Sequence, residues 1–331
     1  MLYYYALLYY NINLKQINTM KKIHLISTLI GLLAFSTISK ADLKVVTSIK
    51  PIHSLASYIM DGVGSPGLIV DGYNSPHSFQ LKPSHAKMLE QADIIFWIGE
   101  DLENFLEKPL ATIAKKAEKI ELLEIKGIKK LKFRERNIFE EHEEHDDHGH
   151  DAKKDEHDDH EGHGHGEYDP HIWLDPINAK VILSEITEHL IENDSKNAST
   201  YKSNLAKALA KIDKLIIDVI TETNTDLSYV VFHDAYQYYE NRFNVNILGA
   251  MTVNPDVMPG AEQIHEIHEV IEHDNVSCIL SEPQFNPDII KSIAKDTNVK
   301  TGVLDPLGAN LKPGKDLYFD LIRNMSASFN C

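Results

Sequence analysis

Cysteine is scarce: Cys278 and Cys331 are the only two in the chain. Neither has a second cysteine at the two-residue spacing of a thiolate zinc site, which argues against a zinc finger. Positive charge is short as well. Lysine and arginine number 33 against 50 acids, and the formal net charge is −17. Such a surface repels nucleic acid and anionic lipid and attracts cations. Long apolar runs are also missing. Residues 25–38 fall short of the roughly 20 residues that cross a bilayer, and no later segment is longer. That run follows Met20-Lys21-Lys22 and precedes Ser39-Lys40-Ala41, the pattern of a secretory leader over 1–41, with Met20 as the expected start and cleavage after Ala41. The leader holds four lysines and no acid, so its loss takes the charge from −17 to −21. An oxidising compartment would pair the two cysteines, contributing up to about 4 kcal/mol by closing the intervening loop. Two free thiols are the alternative.

Histidine is what the chain has in quantity. Of 18, eight fall in residues 140–167, EEHEEHDDHGHDAKKDEHDDHEGHGHGE, among thirteen acids and two lysines. Nothing apolar there offsets the entropy of ordering, so residues 139–168 are expected to form a disordered acidic loop. Neutral imidazole and carboxylate are donors that Zn²⁺ accepts, and a solvated tether rich in both binds such ions weakly and reversibly. Whether it senses, collects or buffers metal is left open by its composition.

The chain as a whole is 43% apolar, enough to support a buried core outside this stretch. Apolar runs at 43–48, 67–70 and 93–99 read as strands, and 52–60, 86–92 and 102–114 as helices between or after them. Long helices are expected at 177–192 and 198–223; the second, at about 40 Å, is long for one lobe. A second series follows: strands at 229–232, 246–248, 276–280 and 299–304, with helices at 235–243, 260–273 and 287–296. Alternation of this kind predicts parallel sheets covered by helices. The organisation is therefore an N-terminal α/β lobe over 42–176 containing the loop, a helical segment over 177–224, and a C-terminal α/β lobe over 225–331.

Two motifs mislead. Gly62-x-Gly64-x-x-Gly67 has a helix before it and a strand after it, the reverse of a dinucleotide site. HEIHEVIEH at 265–273 lacks the i, i+4 histidine pair around a glutamate that a zinc protease needs, and Ile264, Ile267 and Ile271 leave its histidines on outer faces.

Outside the leader, the loop and that helix stand His53, His77, His85, His171, His189 and His233. His77, His171 and His233 lie beside tight turns or at a strand end, where ligands gather in open α/β folds. Around them run HSFQLKPS at 77–84, ADIIFWIG at 92–99, HIWLDP at 171–176, FHDAY at 232–236, TVNPDVMPGA at 252–261, SEPQF at 281–285 and LDPLGAN at 304–310. These segments, with the His-rich insertion between the first and second histidines, resemble the periplasmic zinc-binding component of ABC-type zinc importers, the ZnuA family.

The resemblance implies an α/β protein of two (β/α) lobes with parallel sheets, joined by one long rigid helix, with metal in the interlobe cleft. It implies His77 and His171 as ligands from the first lobe, His233 from the second, and a Cys278–Cys331 disulfide. It further implies a monomeric periplasmic protein that carries Zn²⁺ as transported substrate to the membrane subunit of a permease. Some members place Glu before the first ligand histidine; here Pro76 stands there. The fourth position then falls to water, with Glu282 or Asp305 as alternatives. Three imidazoles favour zinc over manganese, whose relatives use two acids. Asp169, Asp175 and Asp234 are candidates to orient the imidazoles. Competing readings are a manganese carrier of the same class, a His₃-zinc hydrolase and a metal-dependent adhesin.

Overall fold

The computed structural model describes residues 42–134, 136–139, 166–255, 257 and 259–331. The expected leader, 1–41, and the His-rich stretch from 140 to 165 lie outside the described residues.

Two four-stranded parallel sheets organise the chain. In the first, the order β2-β1-β3-β4 joins Gly67–Val70, Val45–Ile49, Ile94–Trp97 and Glu118–Glu121. Every residue of β1 (VVTSI) and β3 (IIFW) is buried, as in strands covered on both faces. Lys50–Ile59 (α1), Pro83–Gln91 (α2) and Glu100–Thr112 (α3) supply the crossovers. In the second sheet the order is β6-β5-β7-β8: Asn246–Thr252, Ser228–His233, Cys278–Ser281 and Lys300–Val303. The first strand of each sheet has neighbours on both sides, so successive crossovers leave in opposite directions. That reversal opens a crevice at the strands' carboxyl ends.

Between the sheets run Pro176–Asn193 (α4) and Ala198–Glu222 (α5). Asp175 caps α4 by accepting from the Ile177 amide, with Pro176 in the first turn. Along α5, Tyr201, Asn204, Ala208, Ile212, Leu215 and Val219 form one buried stripe. Its 25 residues run about 37 Å. Near its start the Asn204 amide donates to the carbonyls of Ile59 and Asp61, after α1. Further on, Lys211 pairs with Asp316 at 2.5 Å and lies over the Phe319 ring. Both belong to the closing segment that leads into Leu317–Ser328 (α9), whose Tyr318 donates from its hydroxyl to the Trp173 carbonyl. One helix is thus gripped by both halves, and a single buried cluster runs from Val45 to Phe329.

Strand alternation divides the second lobe. Tyr229 and Val231 face that shared core, while Val230 and Phe232 face a smaller cluster under Ala261–His273 (α7) and Asp288–Thr297 (α8). Gln237–Phe243 (α6) lies between β5 and β6 in the chain. Cys278 and Cys331 form the disulfide. Beside it a Cβ on Gly302 would meet the Leu280 side chain at 2.8 Å, so a larger residue there would force Leu280 to move.

Two elements exceed what periodicity predicts, β4 and α9. In addition, a strap over 131–139 crosses between the lobes. Its Leu131 amide donates to the Tyr238 hydroxyl, and Gln237 donates to the Lys132 carbonyl. Ile138 bridges Gly249 on edge strand β6, and the Phe139 amide donates to the Leu248 carbonyl. A Cβ on Gly249 would fall 2.6 Å from the Asn137 carbonyl, so this approach also requires glycine. Phe139 and Gly166–Tyr168, expected in the loop, are held in place here: Tyr168 bridges Lys132 and the Gly166 amide donates to Asp101.

Candidate metal centre

His233 is the last residue of β5, so the buried strand aims its ring into the crevice at the carboxyl end of the second sheet. Glu282, directly after β7, places Oε1 2.6 Å from His233 Nδ1. His171 precedes the short 3₁₀ turn Ile172–Leu174. Asp169, two residues earlier, accepts from both the His171 amide at 2.9 Å and the ring Nδ1 at 2.7 Å. A carboxylate can only accept, so each ring carries its proton on Nδ1 and turns a bare Nε2 inward.

Those two Nε2 atoms stand 3.4 Å apart. Tetrahedral zinc with bonds of 2.0–2.1 Å to imidazole has ligand-to-ligand edges of about 3.3–3.4 Å. His77 comes from the loop after β2, its amide donating to Ser75 Oγ. Its ring centroid lies 5.6 Å from that of His171 and 5.7 Å from that of His233. Donor atoms of all three fall within 4.8 Å of one another. The three histidines singled out in the sequence are therefore brought to one point.

Pro76, Trp173, Phe285, Pro306 and Leu307 line the rest of the pocket. Apolar walls explain the electrostatics. Burial pushes the Asp169 carboxyl up to about 7, and its Oδ2 has no hydrogen-bond partner. Burial, then the neighbouring His233, holds His171 well below its usual range. Burial also disfavours charge on His233, but Glu282 outweighs it and lifts that ring above the usual value. A divalent cation at Nε2 would displace a second proton from that nitrogen and leave the Nδ1 proton hydrogen-bonded to Glu282.

The candidates for a fourth ligand are otherwise engaged. Glu282 backs His233 from behind the ring. Asp305 accepts from the amides of Leu307, Gly308 and Ala309 and from Gln284, bracing its own loop. Of the acids expected to orient imidazoles, Asp169 does so. Asp175 instead caps α4 and pairs with Arg242, and Asp234 pairs with Arg134. Sequence reasoning missed Glu282 in the orienting role, because it stands 49 residues from His233. It also missed Arg134, which bonds Asp234 at 2.9 Å and Glu240 through both terminal nitrogens. Burial lifts the carboxyls of Asp234 to about 6 and Glu240 to about 7, against the pull of that guanidinium.

The remaining histidines do other work. His85 accepts from the Lys82 amide at the start of α2 and packs on Phe79, and His53 is buried in α1. His265 and His273 are exposed on α7, with Ile267 and Ile271 buried on its other side. Gly62 and Gly64 lie in a turn after α1.

Comparison with known proteins gives this geometry its setting. The high-affinity zinc uptake system protein ZnuA of Brucella abortus (strain 2308) is 44% identical over 299 residues, covering 86% of this chain and 90% of the relative. Its counterpart in Yersinia pestis is 37% identical over 303 residues, covering 90% and 94%. A crystal structure of ZnuA shares the fold, with a TM-score of 0.69 over 87% of this chain and 99% of that one, at 21% identity. The family profile described as zinc-uptake complex component A, periplasmic (ZnuA), matches residues 45–330, and the chain belongs to that family.

Proposed function

We propose that the chain captures Zn²⁺ in the periplasm and delivers it to the membrane permease of an ABC-type importer, binding one ion through His77, His171 and His233. Family membership supports the transport reading. The observation that carries the ion's identity is the donor set: Nε2 of His171 and His233 at a tetrahedral spacing, each imidazole backed by its own carboxylate. With Glu282 and Asp305 engaged elsewhere, solvent takes the fourth position. An all-nitrogen protein set favours zinc over the harder Mn²⁺. The cleft serves as a carrier: it offers one exchangeable position, and the glutamate that lines it, Glu282, is committed to His233 Nδ1.

Competition titration of the mature chain with Zn²⁺ and Mn²⁺ tests this. Zinc should displace manganese from a single tight site, and His171→Ala should abolish that site. Equal affinity for the two ions, or a tight site that survives His171→Ala, would overturn the assignment.

A further inference from the structure

A second group of metal-ligating side chains lies at the far end of the first lobe. Glu118 opens β4, and His189 and Glu192 stand one turn apart on α4. One donor atom from each falls within 4.8 Å of the others. We propose that these three residues form a second divalent-cation site, taking Zn²⁺ through Glu118, His189 Nδ1 and Glu192.

The tautomer is the first argument. His189 Nε2 lies 3.2 Å from Oε1 of Glu185, one turn earlier on α4, in hydrogen-bonding geometry. The carboxylate accepts, so Nε2 carries the proton and Nδ1 presents a lone pair. Carboxylate behind, metal in front, is how ligating histidines are oriented, and the same arrangement holds His171 and His233. The second argument is spacing. Nδ1 is buried and 2.9 Å from Glu118 Oε1, yet it makes no hydrogen bond. Two acceptor atoms held that close repel unless a proton or a metal cation sits between them, so the spacing suits either. Ligands at 2.0–2.2 Å from one ion are about 3.0 Å apart in octahedral and about 3.4 Å in tetrahedral geometry.

Each donor is also held. Asn193 donates to Glu118 Oε2 at 3.0 Å and to the His189 carbonyl at 3.0 Å, which leaves Oε1 facing the imidazole. Phe96 meets the His189 ring edge-on at 6.2 Å. Glu118 and His189 are half-buried and Glu192 is exposed, so an ion could enter from solvent. One imidazole with two carboxylates suits Zn²⁺ better than the all-oxygen preference of Mg²⁺ or Ca²⁺. The site lies where β4 begins, whereas the cleft lies at the strands' other ends. Its ion would fasten an edge strand to a helix and would not exchange with cargo.

Crystals of the mature chain, equilibrated with zinc buffered at micromolar free concentration, test this by anomalous scattering at the zinc edge. The expected result is one peak in the cleft and a second between Glu118 and His189. In His189→Ala, and in Glu192→Gln, the second peak should vanish while the cleft peak stays. The proposal is overturned if the cleft is filled and no second peak appears. A peak that persists in His189→Ala, or that forms only at millimolar zinc, would likewise mark an adventitious ion. The cleft peak is an independent control, since its absence would count against the transport reading and not against this site.

Discussion

At the scale of single residues, the proposed cleft site depends on groups that would never touch an ion. Glu282 and Asp169 fix the tautomers of His233 and His171. Replacing Glu282 by Gln should weaken zinc binding by about 10–100-fold while leaving the three imidazoles in place, as isothermal titration would show. The sign of the pH dependence follows from the same contacts. His171 is held neutral by burial, whereas Glu282 raises His233 above its usual value. As pH falls through that raised value, proton and metal compete for His233, and affinity drops. Zinc binding near neutrality should release protons, measurable as a dependence of the apparent enthalpy on the buffer's own ionisation heat. In Glu282→Gln this proton release should shrink.

Another buried acid matters for stability. Glu103, at a kink in α3, accepts from the Ile98 and Gly99 amides through Oε2. Burial pushes its carboxyl up to about 7 from an ordinary 4.5. The folded chain therefore binds this proton more tightly than the unfolded chain. Its contribution to stability falls as pH rises from 4.5 through about 7, by a total on the order of 3 kcal/mol. Glu103→Gln should remove that slope and raise stability most at about pH 8, as urea unfolding at about pH 5 and about pH 8 would reveal.

At the scale of elements, the strap over 131–139 decides how the lobes meet. Arg134 neutralises Asp234 and Glu240, both nearly buried. Arg134→Met would strand two carboxylates and should cost about 3–5 kcal/mol in chemical unfolding. If the loss is below about 1 kcal/mol, the strap is only loosely attached. Elements also show how much was legible in the sequence. Apolar runs such as IIFW and YVVF announce strands because both faces are buried, and the α5 stripe announces a helix by its three- and four-residue steps. β4 (EKIE) gives no such signal, since as an edge strand it buries only Ile120. In α9 the stripe is widened by the adjacent apolar residues Leu317, Tyr318 and Phe319, all buried, so no clean period stands out. The strap is illegible for another reason. Its partners, Tyr238, Gly249 and Met251, lie over 100 residues away and supply mostly backbone contacts. Of the cleft, the histidines were legible at strand ends and beside Pro, but Glu282's role needed folded distances.

At the scale of the whole molecule, the chain's −17 charge makes its surface a collector of cations. The eight histidines of 140–167 add further donors to the chain. Deleting 140–165, while keeping Gly166 and Tyr168 with their contacts to Asp101 and Lys132, should remove the weak zinc equivalents and leave the tight one. Titration of the shortened chain checks this; loss of the tight equivalent would place the principal ligands in the insertion.

Leu131 has a double engagement whose effect reaches the cargo. Its amide leans on Tyr238 of the second lobe, while its carbonyl receives the Asp169 amide of the first; Tyr238 in turn donates to the Asp169 carbonyl. Asp169 is the acid that holds the His171 ring toward the cleft. Prising the halves apart must therefore tug at the peptide that aims one ligand. The set of the His171 ring and the set of the two halves are thus one mechanical variable.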